Sequence, residues 1–140
     1  MQQVFEEIKI KTEGQGFYNF TENTLDWINK QKIQNGILNI NILHTSASLV
    51  IQENADPDVQ KDLLNYFDKL VPMNEKLYIH SSEGKDDMPA HIKSAITNNQ
   101  ISLSIKDGKL LLGTWQGIYL FEHRINPQTR SIIHHFLGET

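Results

Sequence analysis

The sequence predicts an α+β domain built mostly on antiparallel sheet, and three observations predict it. Leu38, Ile40 and Ile42, and later Ile101, Leu103 and Ile105, alternate with polar residues at the two-residue period of a strand with one buried face. Asp107 and Gly108 separate the second run from Leu110–Leu112 and read as the two-residue turn of a tight hairpin. About three helical stretches interrupt the strands, without the regular alternation of a parallel α/β sheet. At 140 residues the chain fits one domain, 1–140, with no repeat, low-complexity tract or linker.

In chain order, Val4, Ile8 and Ile10 among polar neighbours, then Phe17–Phe20 after the Gly14–Gly16 break, read as two strands of an opening hairpin. Thr21 is the expected N-cap of a helix through Ile33, with Leu25, Ile28 and Lys32 on one face and Asn35–Gly36 as the stop. The strand from Ile37 carries His44 at its end, with the parity of Ile40 and Ile42. An imidazole there is either hydrogen-bonded in place or used as a ligand. Leu49–Ile51 form another strand, and Asp56 caps a helix opened by Pro57 and striped by Val59, Leu63, Leu64, Phe67 and Leu70. Those roles explain Asp56 but leave Glu53 and Asn54, just before the cap, without a structural task.

Leu77–Ile79 suggest a short strand leading into His80. The segment from His80 to Lys93, HSSEGKDDMPAHIK, is the densest run of coordinating and ionisable side chains in the chain, and Gly84 and Pro89 force its backbone to bend. Pro89–Thr97 read as a helix with His91 near its N-terminus and Ile92, Ala95 and Ile96 inward. After the hairpin come GTWQG at 113–117, a strand over Ile118–Arg124, and a last strand over about Thr129–Phe136. Adjacent His134 and His135 point to opposite faces of that strand.

Composition narrows the function. The formal charge is −4 and the basic residues are scattered singly, so the footprint of a nucleic-acid binder is missing. No segment approaches the ~20 apolar residues of a membrane span, and the first residues lack the apolar run of a signal peptide. Without cysteine there is no thiolate site, no thiol catalysis and no disulfide, which suits the reducing cytoplasm. Any metal must be held by His, Asp or Glu.

His44, His80 and His91 each stand where an apolar element meets a polar loop. Three imidazoles with a vacant fourth position suit a catalytic divalent ion of the zinc or magnesium class, although three unrelated histidines would read the same way. Glu53, Glu83, Asp86 and Asp87 orient those imidazoles, act as general base or are solvated loop carboxylates, with Glu53 and Asp87 the candidate catalytic carboxylates. For an anionic substrate the candidate donors are Lys85, Lys93 and Arg124, the hydroxyls of Thr45, Ser46 and Ser48, and the free amides of the Pro89 helix, although any one of these charges taken singly reads as an ordinary surface residue. Asn54 adds a polar neighbour, and Trp115 offers either a stacking surface or a core or interface aromatic.

Three segments carry more than spacing does: HTSASLVIQENADPDV from His44, HSSEGKDDMPAHIK from His80 and LLLGTWQGIYLFEHR from Leu111. Together, and in this order, they resemble the motifs of the YjbQ-type family of secondary thiamine-phosphate synthases, over nearly the whole chain. The resemblance implies a β-sandwich-like sheet, a homotrimer, and His44, His80 and His91 near a metal or anion site. It also implies a weak synthase reaction, joining an aminopyrimidine diphosphate to a thiazole phosphate with release of pyrophosphate. The alternatives are a metal-dependent hydrolase of a small phosphorylated or acyl substrate, with Glu53 or Asp87 as base, and a non-catalytic trimer that binds a metal or metabolite.

Overall fold

The computed structural model describes residues 1–140 as two antiparallel sheets and three α-helices. The larger sheet has the order β1 (Gln2–Thr12), β8 (Gln128–Glu139), β3 (Asn35–Ile42), β5 (Gln100–Lys106), β6 (Lys109–Leu110). The smaller has β2 (Gly16–Asn19), β7 (Gln116–Glu122), β4 (Ala47–Glu53). Leu38, Ile40, Ile132 and Phe136 from the first and Leu49, Ile118 and Leu120 from the second meet in one core, so the inner faces of the two sheets share a single apolar interior. Helix α1 (Thr21–Lys30) adds Trp27 and Ile28 to it. The α+β, antiparallel, sandwich-like class read from the sequence is the one observed, and no helix is long and apolar enough to cross a membrane.

The alternating runs became β3 and β5, paired with Leu38 opposite Leu103 and Ile40 opposite Ile101. Asp107 and Gly108 take positive φ values of 52° and 77°, as a tight hairpin turn between β5 and β6 requires. Gly36 lies opposite Gly138, and a Cβ on Gly36 would collide with the Leu137 carbonyl and the Phe136 ring. Glycine there serves the close approach of β3 and β8 rather than the end of a helix.

Five local expectations are corrected. The first two strands form no hairpin: β1 pairs along its whole length with β8, and β2 pairs with β7, each with a partner about 100 or more positions away. Thr21 lies just inside α1 rather than at its cap, its hydroxyl accepting from the Ile118 N–H at 2.8 Å. The same helix stops at Lys30, where Lys32 turns to φ 55° and the Ile33 N–H reaches back to the Ile28 carbonyl, a left-handed C-terminal motif sealed by buried Ile33. Leu77–Ile79 form no strand; a single 3₁₀ turn, Glu75–Leu77, occupies the stretch. Helix α3 (Asp87–Ile96) starts two residues before Pro89 and buries Asp87, Pro89, Ala90 and Lys93, whereas Ala95 and Ile96 face outward.

Helix α2 (Pro57–Leu70) begins as read, with Asp56 Oδ1 accepting from the Asp58 N–H at 2.9 Å. None of its residues is fully buried despite the apolar stripe. The Phe67 ring packs edge-on to Phe121, and Asp68 receives buried Lys93 Nζ at 2.6 Å. These contacts tie α2 to the small sheet and to α3.

Candidate metal centre

One end of the molecule gathers four chain segments: the turn after β3, the loop 78–86, the start of α3 and the exit of β7. Asp87 is the first residue of α3 and His91 lies four residues on, one turn along the same face. His91 Nε2 stands 3.2 Å from Asp87 Oδ2, and His80 Nε2, arriving from the loop, stands 2.6 Å from the same oxygen. The candidate ligand atoms of His80, Asp87 and His91 all lie within 4.8 Å of one another. Asp87 is buried at the floor, with 2% of its side chain exposed, while the His80 and His91 side chains at the rim are 41% and 34% exposed.

Arg124, leaving β7, locks this floor in place. Its Nη1 lies 2.7 Å from Asp87 Oδ1, its Nε donates to Asp86 Oδ2 at 2.8 Å, and its Nη2 donates to the Glu83 carbonyl at 3.0 Å. Asp86 Oδ2 also accepts from the Ile125 N–H at 2.9 Å. Burial alone would raise the pKa of Asp87, but the His80 hydrogen bond and the charges of Arg124, His91 and His80 outweigh it and hold the carboxyl below its ordinary range. Asp86 behaves alike: burial raises its pKa, and the Arg124 and Ile125 bonds lower it further than burial lifts it. Both carboxylates are therefore charged throughout the neutral range.

The chemistry of His91 is constrained from both sides. Its Nδ1 lies 2.9 Å from the Thr45 carbonyl oxygen, which only accepts, so Nδ1 carries the proton. In a neutral ring Nε2 is then a bare lone pair facing a carboxylate oxygen. That juxtaposition is unfavourable unless a cation or a proton lies between them. Two imidazoles and one carboxylate with open positions beyond them form a donor set used by catalytic zinc and related divalent ions, and the Thr45 carbonyl is the outer partner that fixes a ligand imidazole.

Of the three histidines read as ligands, the structure brings together His80 and His91, with Asp87 where a third imidazole was expected. His44 is placed differently. Its Nε2 accepts the Ser131 N–H from β8 at 2.8 Å, and its pKa is lowered by burial and by Arg130, with Glu122 opposing. The inward parity that suggested a ligand has brought the ring to a backbone amide. Thr45 takes part through its carbonyl, and Ser46 Oγ accepts from Arg130 Nη2 at 2.9 Å. Lys93 is buried and bound to Asp68, and Arg124 is bound to both aspartates, so neither is a free donor for an anion in this arrangement.

Glu53, Asn54 and Trp115 lie at the opposite end of the small sheet. Six residue steps along β4 separate Glu53 from Ala47, about 20 Å at strand spacing. There Glu53 Oε2 accepts the Ala55 and Asp56 N–H groups at 3.3 and 2.8 Å. The Asn54 side chain donates to the Thr114 and Gln116 carbonyls, and the Asn54 N–H bonds the Trp115 carbonyl at 3.0 Å. The structural task missing from the sequence reading is the stitching of the GTWQG turn to the entrance of α2.

Sequence reasoning missed Glu122 and Arg130, which lie fully buried behind the centre. Arg130 Nε donates to Glu122 Oε1 at 2.8 Å and its Nη2 to Oε2 at 2.5 Å, while Thr12 Oγ1 donates to Oε1 at 2.7 Å. Beside them His123 Nε2 pairs with Ser48 Oγ at 2.9 Å, and burial, Lys93 and Arg130 push the imidazole down to about 3. The available signal was Glu122 itself, a carboxylate closing the apolar run Ile118–Phe121.

The fold and site together define an α+β protein of two antiparallel sheets with a two-histidine, one-carboxylate group at one end. A family model described as UPF0047 protein YjbQ-like matches residues 6–139, and the chain belongs to that family. It is 47% identical over 130 residues to a UPF0047 protein of Synechocystis, covering 93% of this chain and 88% of that one. It is 43% identical over 133 residues to the YjbQ protein of Salmonella typhimurium, covering 94% and 96%. The crystal structure of a YjbQ/UPF0047 family protein from Clostridium acetobutylicum superposes with a TM-score of 0.85 at 32% identity, covering 94% of this chain and 99% of that chain.

Proposed function

We propose that the protein is a divalent-metal enzyme that hydrolyses a small phosphorylated or acyl substrate, with His80, Asp87 and His91 holding the ion. The observation that carries this reading is the Asp87 oxygen shared by two imidazoles, one of which has its proton committed to the Thr45 carbonyl. Imidazole ligation favours an ion of the zinc class over magnesium. Such an ion, when bound, lowers the pKa of a coordinated water enough to supply hydroxide near neutral pH. The chain's own part is to fix the donors: Arg124 holds Asp87 by its other oxygen, Thr45 orients His91, and the half-exposed rim leaves room for substrate. Asp87 acts here as ligand and anchor rather than as a free base.

The thiamine-phosphate synthase activity implied by the motif resemblance asks more of the site. Departure of pyrophosphate needs cations to neutralise it, and of the three cationic donors Arg124 and Lys93 are spent on aspartates, which leaves only the exposed Lys85. This favours hydrolysis. The homotrimer implied by the same resemblance is proposed with it and is checked by light scattering.

Metal content decides the centre: wild-type protein loaded with zinc should retain about one equivalent through desalting, and folded His91→Ala should lose it. Unchanged zinc in that variant would refute the ligand assignment. The loaded protein, assayed on a phosphomonoester and acyl-ester panel and separately on the two thiamine precursors, should turn over a single substrate in a His80-dependent way. Thiamine phosphate formed in a His80-dependent way would restore the synthase, and metal binding without any product would leave a binding protein.

A further inference from the structure

We propose that the buried Glu122–Arg130 pair is the positioning device of the His80–Asp87–His91 group, an inference that rests on the metal reading for its functional meaning. The pair reaches the group along two separate routes. On one side Arg130 Nη2 donates to the Ser46 carbonyl at 3.2 Å and to Ser46 Oγ at 2.9 Å, holding the turn whose preceding residue, Thr45, receives the His91 Nδ1 proton. On the other, Glu122 Oε2 accepts the backbone N–H groups of His123 and Arg124 at 3.1 Å each, fixing the point from which the Arg124 side chain reaches Asp87 Oδ1. Asp87 and His91 close the circuit at 3.2 Å.

Each half of the circuit places one donor. Turning the 45–46 backbone would withdraw the carbonyl that keeps the His91 proton on Nδ1 and frees Nε2. Shifting the 123–124 backbone would draw the guanidinium off the carboxylate that both imidazoles share. A buried ion pair adds little net stability compared with apolar residues packed in its place, so stability alone is a weak reason for this one. Its five hydrogen bonds to Glu122, from Thr12, Arg130 and two backbone amides, make it rigid, which is what a metal site asks of its outer partners.

Arg130→Lys tests this. Lysine keeps the charge of Glu122 paired, so the fold is retained, but its single ammonium lacks the fork that spans Glu122 and Ser46. In metal-free wild-type protein the His91 Nδ1–H, assigned by its loss in His91→Gln, should give a downfield proton resonance that the Thr45 hydrogen bond protects relative to a free imidazole, slowing its exchange with solvent. Arg130→Lys should lose that protection with the amide spectrum otherwise folded, and zinc affinity should fall about 10–100-fold. The double substitution Glu122→Gln/Arg130→Met, which leaves no unpaired charge, should behave the same way. Retention of the protected resonance in either folded variant, or its loss with zinc affinity unchanged, would overturn the proposal. If the wild type binds no zinc yet the resonance still depends on Arg130, the positioning stands and the metal reading falls.

Discussion

The two ends of the small sheet carry equally conspicuous sequence and use it in opposite ways. At the β7 exit, Asp86, Asp87, Arg124, Glu122 and Arg130 are buried or nearly so, and every charge finds another charge. At the β4 exit, about 20 Å away by strand rise, Glu53 and Asn54 are spent on backbone groups of the adjoining turns, and Trp115 is 64% exposed. Charge buried against charge fixes side-chain directions; polar groups bonded to backbone fix loops. Only the first arrangement leaves lone pairs converging on one point.

The sharpest way to break this contrast is to remove one charge of the buried pair. Arg130→Met leaves Glu122 fully buried without its counter-ion and should destabilise the protein by about 3–5 kcal/mol, read from urea denaturation. The double substitution Glu122→Gln/Arg130→Met should recover most of that loss. A single substitution costing less than about 1 kcal/mol would mean that water or a shifted cation reaches Glu122, and that the two ends differ less than their burial suggests.

Acid provides the next largest effect. Burial, Lys93 and Arg130 hold His123 down to about 3, and burial holds His134, behind α1, down to about 4, both from an ordinary 6.5. Both rings stay neutral in the native protein while the unfolded chain takes up a proton on each as pH falls below 6.5. The unfolded state then binds more protons, so stability falls with falling pH by about 1.4 kcal/mol per unit for each histidine. The His134 contribution to this slope ends near pH 4 and that of His123 near pH 3. Asp86 and Asp87, whose pKa values are lowered from 3.8, add their own loss only as pH passes below that value. Denaturation between pH 6.5 and 5 should show the slope of His123 and His134 with a further contribution from His44, whose pKa is also lowered, and His123→Gln and His134→Gln should each remove one histidine's share, about 1.4 kcal/mol per unit. A slope unchanged in His123→Gln would mean that this ring already charges in the folded protein.

The same contrast explains what the sequence made legible. Strands β3 and β5 and their hairpin were readable because parity and turn chemistry are local, carried by Ile40, Ile101 and Asp107–Gly108 themselves. The pairing of β1 with β8 and of β2 with β7 was not, since no local signal names a partner about 100 or more residues away. In the site, His80 and His91 were found by their density in one loop. Asp87 was read as a base and not as the shared anchor, because that role appears only when α3 starts at Asp87 and puts His91 one turn on. His44 was misplaced by the same parity that placed β3 correctly: an inward ring at a strand end meets whichever strand lies beside it, here the Ser131 amide. Arg130 gave no signal at all, its meaning lying in contacts with Glu122 and Ser46.

The smallest predicted effects belong to the β4 end, and they test whether that end is chemically silent. Asn54→Ala removes two long side-chain bonds, of 3.4 and 3.3 Å, from the GTWQG turn, while the Asn54 N–H bond to Trp115 remains. It should cost about 0.5–1.5 kcal/mol. Trp115→Ala removes a mostly exposed ring and should change stability by no more than about 0.5 kcal/mol. Both variants should keep the zinc affinity of the wild type, because within one chain nothing from this end reaches His80, Asp87 or His91. Turnover is the more demanding measurement. If Trp115→Ala abolishes it while zinc affinity and stability stay as predicted, an exposed aromatic about 20 Å along the sheet must meet the substrate from another copy of the chain. The two ends, separate in one subunit, would then be halves of a single pocket completed by assembly.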